Sequence, residues 1–138
     1  MPNVISGEAV FSLDLRHHQE AVLDRYCDDI FAYFTELAGE WNVQITVEQT
    51  TEAKPVRMDQ DLIQLSKQSA EELDVSYQEM VSGAGHDAQV FGTHCPTSLL
   101  FVPSRNGISH SPEEWTKPTD LAAGVELLTD LLYRLAYE

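Results

Sequence analysis

Residues 98–102 read Ser-Leu-Leu-Phe-Val, a continuous apolar run that ends at Pro103. A short run of this kind is typical of a strand that is buried on both faces of a parallel sheet. A glycine turn over residues 82–87 and a short helical pattern over residues 88–92 precede the run, and a long polar loop over residues 104–117 follows it. Because strands alternate with helices here, the sequence predicts an α/β arrangement with a mainly parallel sheet.

The first fifty residues predict a β-α-β unit. Apolar and polar residues alternate over residues 9–16 and again over residues 43–47, which is the period of a half-buried strand. Residues 18–40 between them carry apolar side chains at spacings of three and four, and this pattern predicts an amphipathic helix. Gly39 is the expected stop of that helix.

A polar stretch over residues 48–57 indicates a boundary between two segments. We therefore predict a β-α-β segment over residues 1–53 and an α-β-α-β-α segment over residues 54–138, whose first helix is capped by Asp59 or Asp61. Two or three strands form a poor sheet alone, because their open edges expose unpaired backbone groups. The expected fold class is therefore α/β, an α+β segment followed by an α/β segment, with incomplete sheets.

Composition excludes several classes of partner. The chain has 23 acidic and 8 basic residues and a formal net charge of -15, which disfavours binding to nucleic acid or to an anionic membrane surface. Hydrophobic residues make up 43% of the chain, enough for a core. The two cysteines lie far apart, and neither a signal peptide nor a transmembrane run is recognisable. We expect a cytoplasmic protein.

Three stretches carry candidate chemistry. His110 lies in the polar loop after the apolar run, where α/β proteins gather ligands, although zinc requires three or four ligands and an ordinary solvated histidine is the alternative. The glycine turn at residues 82–87 suits a carboxylate, or is only a tight turn. Arg16 can bind a carboxylate through two hydrogen bonds, or is a surface arginine. No motif of a serine hydrolase, P-loop or dinucleotide-binding protein is present.

The motifs resemble the bimetallic zinc amidohydrolases of the N-carbamoyl-L-amino-acid hydrolase and allantoate amidohydrolase type. The resemblance is carried by SGAGHDA at residues 82–88 and FVPSRNGISHSPEE at residues 101–114, with Asp120-Leu121 and Gly124 after them. Near the start, NVISGE at residues 3–8 and LDLRH at residues 13–17 are also similar, although proline is usual in the family at the place of Ser6.

The resemblance implies a catalytic α/β domain with two divalent metals, zinc or manganese, and a smaller α+β lid that also forms the dimer. In those terms, residues 1–53 are the second half of the lid and residues 54–138 the last segment of the catalytic domain. His110 matches the last metal ligand of the family. Six residues match positions that bind the substrate's carboxylate and ureido groups or line its pocket: Asn3, Arg16, Gly83, Ala84, Gly85 and His86.

The sequence also departs from the family pattern. The other metal ligands and the general-base glutamate belong to an N-terminal segment that this sequence does not contain, so no catalytic residue is assigned. The pair Glu113-Glu114 follows His110 and is not the catalytic glutamate pair of the family. Because one histidine cannot hold a dinuclear centre, we expect this chain not to bind the metals tightly by itself.

The leading hypothesis is therefore a C-terminal fragment of a metal-dependent amidohydrolase of linear amides, inactive by itself. Its parent enzyme would act on N-carbamoyl-L-amino acids, allantoate or related ureido acids. The alternatives are a non-catalytic dimerisation or ligand-binding module and one half of a split enzyme. We expect a homodimer or association with a separate N-terminal half, since half-built sheets expose apolar surface.

Overall fold

A computed structural model describes residues 5–137 of the chain. The chain divides into two compact units, Met1–Pro55 and Val56–Glu138. This division lies close to the boundary predicted after residue 53, whereas the lid and catalytic-domain roles of the two segments remain predictions.

Four α-helices and one 3₁₀ turn make up the regular structure of residues 5–137, and no β-strand occurs among them. The predicted α/β class with incomplete sheets is therefore wrong. Four stretches were expected as strands, and all four are non-helical: residues 9–16 and 43–47 in the first segment, and residues 75–80 and 98–102 in the second. A strand exists only where its backbone pairs with a neighbouring segment, and the alternation of side chains does not report whether such a neighbour is present.

The first unit is built on helix α1 (Glu20–Glu40). His17 precedes the first turn of this helix, and its Nδ1 accepts a hydrogen bond of 3.0 Å from the backbone N–H of Gln19. At the other end, Asn42 adopts a left-handed conformation with φ 48°, and the backbone N–H of Val43 donates to the carbonyl of Ala38 at 2.9 Å. This is a Schellman ending with Asn42 as its left-handed residue, so the helix ends at Glu40, one residue after the predicted stop at Gly39.

Few side chains of the first unit are buried. Ala38 is the buried hydrophobic residue of α1, and Phe11 packs edge to face against Phe34 with ring centroids 5.9 Å apart. An ion pair of 2.6 Å between Lys54 and Glu20 ties the end of the unit to the start of α1.

The second unit begins with helix α2 (Gln60–Glu72). The carboxylate of Asp59 accepts a hydrogen bond of 2.9 Å from the backbone N–H of Leu62, which confirms Asp59 as the cap rather than Asp61. Asp74, with φ 55°, ends α2 in a second Schellman motif. Three further elements follow: the short helix α3 (Asp87–Phe91), a 3₁₀ turn (Arg105–Gly107) and the helix α4 (Pro118–Tyr137).

Helices α2 and α4 pack against each other, and their contact is the core of the second unit. Ala70 of α2 is 1% exposed, and Leu127 and Leu131 of α4 are buried beside it. Five further apolar residues of α4 are about half exposed: Leu121, Val125, Leu128, Leu132 and Leu135. Within residues 5–137, no helix combines the length and apolarity needed to cross a membrane.

The apolar run at residues 98–102 is held against α4 by a close approach at Gly124. A Cβ atom built on Gly124 would lie 2.5 Å from Cγ1 of Val102, a distance that real Cβ contacts do not reach. Glycine is therefore needed at this helical position for steric reasons, although glycine inside a helix costs roughly 1 kcal/mol relative to alanine. The requirement depends on the branched side chain of Val102.

Replacement of Gly124 should have opposite effects in two backgrounds. We expect Gly124→Ala to lower the melting temperature of the otherwise unchanged chain, because the added methyl group clashes with Val102. In a Val102→Ala background the clash is removed, so the same change should raise the melting temperature through the gain of about 1 kcal/mol in helix propensity. Circular dichroism melts of the four proteins measure this, and a stabilising effect in both backgrounds would contradict the contact.

A charged cluster closes the end of the α2–α4 contact. The Nε of Arg134 donates to Asp130 at 2.7 Å, and another guanidinium nitrogen pairs with Glu72 of α2. Hydrogen bonds from Arg134, and next from Gln68, lower the pKa of Glu72 from its usual value. The pKa of Asp130 is lowered first by the hydroxyl of Ser69 and next by Arg134. Arg134 therefore favours the charged form of carboxylates on both helices.

This cluster should make the second unit sensitive to acid. Carboxylates whose pKa is lower in the folded than in the unfolded chain stabilise the fold above their unfolded pKa, and this contribution is lost as pH falls through the folded pKa. We therefore expect stability to decline below the ordinary carboxyl range, and the decline to be smaller in Arg134→Met. Melting temperatures across acidic pH test this, and parallel curves for the two proteins would refute the role of Arg134.

Candidate functional site

The loop that carries His110 closes on itself. Over residues 104–115, which we call the histidine loop, the backbone N–H of Arg105 donates to the carbonyl of Trp115 at 2.8 Å, and the Arg105 guanidinium lies 5.3 Å from the centre of the Trp115 ring. The 3₁₀ turn at its start contains Asn106 and Gly107 in left-handed conformations with φ 58° and 68°. Short-range contacts therefore fix the shape of this loop.

His110 lies at a sharp bend of the histidine loop. Its own backbone is left-handed with φ 55°, an uncommon conformation for a residue with a side chain, and its N–H donates to the carboxylate of Glu114 at 2.8 Å. The N–H of Glu114 in turn donates to the carbonyl of Ser111 at 3.0 Å. Glu114 is thus a structural residue that supports the backbone of His110, whose imidazole remains exposed.

The residues around His110 do not fit a metal centre. Among residues 5–137, no group of three or more histidine, cysteine, aspartate and glutamate side chains is arranged to hold a metal ion. A dinuclear site needs several converging ligands, and His110 offers one. The metal role predicted for His110 therefore has no ligand set within the described part of the chain.

The glycine turn at residues 82–87 places its histidine against a serine. Oγ of Ser82 lies 2.8 Å from Nε2 of His86, and the backbone N–H of Ala84 donates to the same oxygen at 3.2 Å. The ring of His86 also packs edge to face against Phe101, with centroids 5.3 Å apart. These contacts join His86 to Ser82 and to the apolar run, and not to Asp87, the acidic residue next to it in the sequence.

The glycines of this turn are not required by the chain itself. Neither Gly83 nor Gly85 has a left-handed φ. A Cβ atom on Gly83 would meet nothing within 4 Å, and one on Gly85 would make only an ordinary contact of 3.8 Å with Gln89. The side of the turn at Gly83 is therefore open.

Arg16 is held at the edge of a cleft in the first unit. Its Nε and a terminal nitrogen donate to the two carboxylate oxygens of Asp14 at 2.8 and 2.6 Å, a side-on pair. The hydrogen bond from Arg16 holds the pKa of Asp14 below its usual value. These residues and the first turns of α1 line an open cleft of about 470 Å³, which also contains Arg25 and Tyr26. Arg16 therefore already binds a carboxylate, one supplied by its own chain.

The predicted site residues fall in different parts of the chain. Arg16 lies in the first unit, whereas residues 83–86 and His110 lie in the second. Asn3 lies outside the described residues. The sequence motifs do not identify Ser82, Asp14 or Glu114 as partners of these residues. Their spacing in the sequence is a weak indication of these contacts. Ser82 and Glu114 each lie four residues from the histidine they contact, and Asp14 lies two residues from Arg16.

Comparison with known proteins follows the same motifs. Residues 4–134 match the family described as Peptidase family M20/M25/M40. The chain belongs to this family. An allantoate amidohydrolase of Bacillus subtilis (strain 168) is 44% identical over 135 residues, which are 98% of this chain and 33% of that protein. An N-carbamoyl-L-amino acid amidohydrolase of Geobacillus stearothermophilus is 34% identical over 134 residues, 97% of this chain and 33% of that protein.

A solved structure agrees with this assignment to the M20/M25/M40 family. It is an amidase of the hydantoinase/carbamoylase family from Burkholderia multivorans, 32% identical, with a TM-score of 0.84 over 88% of this chain and 30% of that one. The resemblance drawn from the motifs is thus confirmed at family level, and the relatives are amidohydrolases. The chain spans about a third of the length of these curated relatives.

Proposed function

We propose that this chain supplies the substrate-holding part of a metal-dependent amidohydrolase of linear ureido or carbamoyl amides, and that it does not hydrolyse them alone. The observation that carries the proposal is the match over residues 4–134 to a family whose similar members are amidohydrolases of allantoate and N-carbamoyl-L-amino acids. Zinc or manganese would belong to the complete enzyme, where His110 would be one ligand among several. A cytoplasmic location belongs to the same proposal.

The geometry of Arg16 supports a role in holding the substrate carboxylate. Its guanidinium is already oriented for a two-point contact, since both oxygens of Asp14 are bound side on. The open cleft beside it has room for a small amino acid derivative. Asp14 then acts as a competitor that a substrate carboxylate must displace, which restricts binding to ligands that offer the same two oxygens. Asn3 is assigned to the ureido end by the resemblance alone.

The open side of the glycine turn supports the pocket-lining role of Gly83, Ala84, Gly85 and His86. Nothing in the chain requires glycine at position 83, and a side chain there would project into open space. Because Gly83 has no side chain, a polar ligand can approach the backbone of the turn closely, and His86 lies in the same turn.

Two variants should separate the role of Asp14 from that of Arg16. Asp14→Asn removes the competing charge, so we expect the affinity for N-carbamoyl-L-alanine to rise several-fold. Arg16→Lys keeps the charge but loses the two-point contact, so we expect affinity to fall. Ligand-induced changes in the NMR amide signals of the first unit measure both. Signals that respond equally in all three proteins would place the carboxylate elsewhere.

Hydrolysis should be absent from the isolated chain. We expect the purified 138-residue protein, supplied with zinc or manganese, to release no ammonia from allantoate or from N-carbamoyl-L-amino acids above the level of a His110→Ala control. The physical reason is the missing set of converging ligands around His110 among residues 5–137. Metal-dependent turnover that is lost in His110→Ala would overturn this part of the proposal.

A second candidate, an association module, is favoured by the exposed side of α4. The half-exposed residues Leu121, Val125, Leu128, Leu132 and Leu135 recur at spacings of four and three, which places them in one stripe along the helix. Such a stripe is typical of a surface that another polypeptide covers. Sedimentation, which measures the oligomeric state, and NMR titration with a ureido acid, which measures binding, discriminate the candidates. A stable dimer that binds no ureido acid favours the module, and a ligand-binding monomer favours the substrate-holding role.

A further inference from the structure

Two polar groups of the glycine turn, the backbone N–H of Ala84 and the imidazole of His86, contact the hydroxyl oxygen of Ser82. Oγ of Ser82 accepts the backbone N–H of Ala84 at 3.2 Å and lies 2.8 Å from Nε2 of His86. The His86 ring is half-buried and has Phe101 against it on another side. Neighbouring side chains therefore set both the position of the ring and the hydrogen-bonding partner of its Nε2 atom.

Counting donors and acceptors leaves two arrangements of the hydrogen atoms. A backbone amide only donates, so the Ser82 oxygen is an acceptor toward Ala84. If the Ser82 hydroxyl donates to Nε2, the oxygen accepts once and donates once, and the hydrogen on Nδ1 of His86 is left for solvent or a ligand. If Nε2–H donates instead, the oxygen accepts twice and its own hydrogen must find solvent.

Polarisation favours the first arrangement, in which the Ser82 hydroxyl donates to Nε2. An oxygen that accepts a hydrogen bond becomes a stronger donor through its own O–H, because hydrogen bonds in a chain strengthen one another. From this geometry we propose that Ser82 is a positioning residue that holds the neutral imidazole of His86 as the tautomer with its hydrogen on Nδ1. Neutral imidazole in water prefers the hydrogen on Nε2, so Ser82 reverses the intrinsic preference.

The consequence for ligand binding rests on the proposed function. With Nε2 occupied by Ser82, Nδ1 presents an N–H, which can donate to a carboxylate or to a ureido carbonyl oxygen. The opposite tautomer would present a lone pair at Nδ1 and would repel the same oxygens. Ser82 therefore determines whether His86 attracts or repels the acceptor groups of a ureido acid, although Ser82 itself need not touch the ligand.

The tautomer can be measured directly in the intact chain. Long-range ¹H–¹⁵N correlation spectra at about pH 8.5, where ordinary imidazoles are neutral, distinguish a protonated from an unprotonated ring nitrogen. A His86→Gln variant assigns the signals of His86 among the five histidines of the chain. We expect Nδ1 to be protonated in the unchanged protein and Nε2 to become the protonated nitrogen in Ser82→Ala.

Two matched variants separate positioning from general support of the fold. Ser82→Thr retains the hydroxyl and should retain the Nδ1–H tautomer. Phe101→Leu removes the ring contact and should loosen the imidazole without reversing the tautomer. Amide spectra of each variant establish that the rest of the fold is kept. A protonated Nε2 in the unchanged protein, or a tautomer that does not respond to Ser82→Ala in a folded variant, would overturn the proposal.

Titration with allantoate distinguishes failure of this proposal from failure of the proposed function. If His86 is the Nδ1–H tautomer and its Nδ1 signal shifts with ligand in the unchanged protein but not in Ser82→Ala, both stand. If the tautomer is as expected but allantoate leaves the His86 signals unchanged, the positioning role stands and the pocket-lining role of His86 fails. If allantoate shifts the His86 signals equally with and without the Ser82 hydroxyl, the functional consequence of the tautomer is refuted.

Discussion

The packing of α2 on α4 is the contact on which the second unit depends, because the buried part of this unit is small. Ala70, Leu127 and Leu131 form the centre of the contact, and the ion pairs of Arg134 cross its edge. Buried apolar area supplies most of the free energy of folding, so a unit with so few buried side chains has little reserve. Local interactions, the Asp59 cap and the helix-ending turn at Asp74, therefore matter more here than in a domain with a large core.

Helices could be predicted from the sequence because their determinants are local. The spacing of apolar residues and the cap at Asp59 located α1 and α2 closely, and the last helix of the predicted α-β-α-β-α segment is present as α4. The strands could not be predicted in the same way. Alternation over residues 9–16 describes the faces of an extended segment, but a strand depends on a second segment elsewhere, and no described stretch supplies that pairing.

The same distinction between local and distant determinants applies to the candidate site. The motifs identified the family correctly and drew attention to His86 and His110. They did not indicate that a serine four residues earlier contacts the ring of His86, or that Glu114 holds the backbone of His110. Such contacts depend on turn geometry, and a left-handed φ such as that of His110 is set by the contacts of the turn and not by the residue type alone.

Within each unit, the chain sets the local geometry of several of its polar side chains. The histidine loop is closed by Arg105 and Trp115, and the imidazole of His86 is held by Ser82 and Phe101. Preorganisation of this kind lowers the entropic cost of ordering these side chains when a ligand or a metal binds. A metal centre needs in addition that several ligands converge, and among residues 5–137 no three or more histidine, cysteine, aspartate and glutamate side chains are grouped to hold a metal ion. Prearranged contacts are what the proposed substrate-holding role requires, and binding and tautomer measurements test them directly.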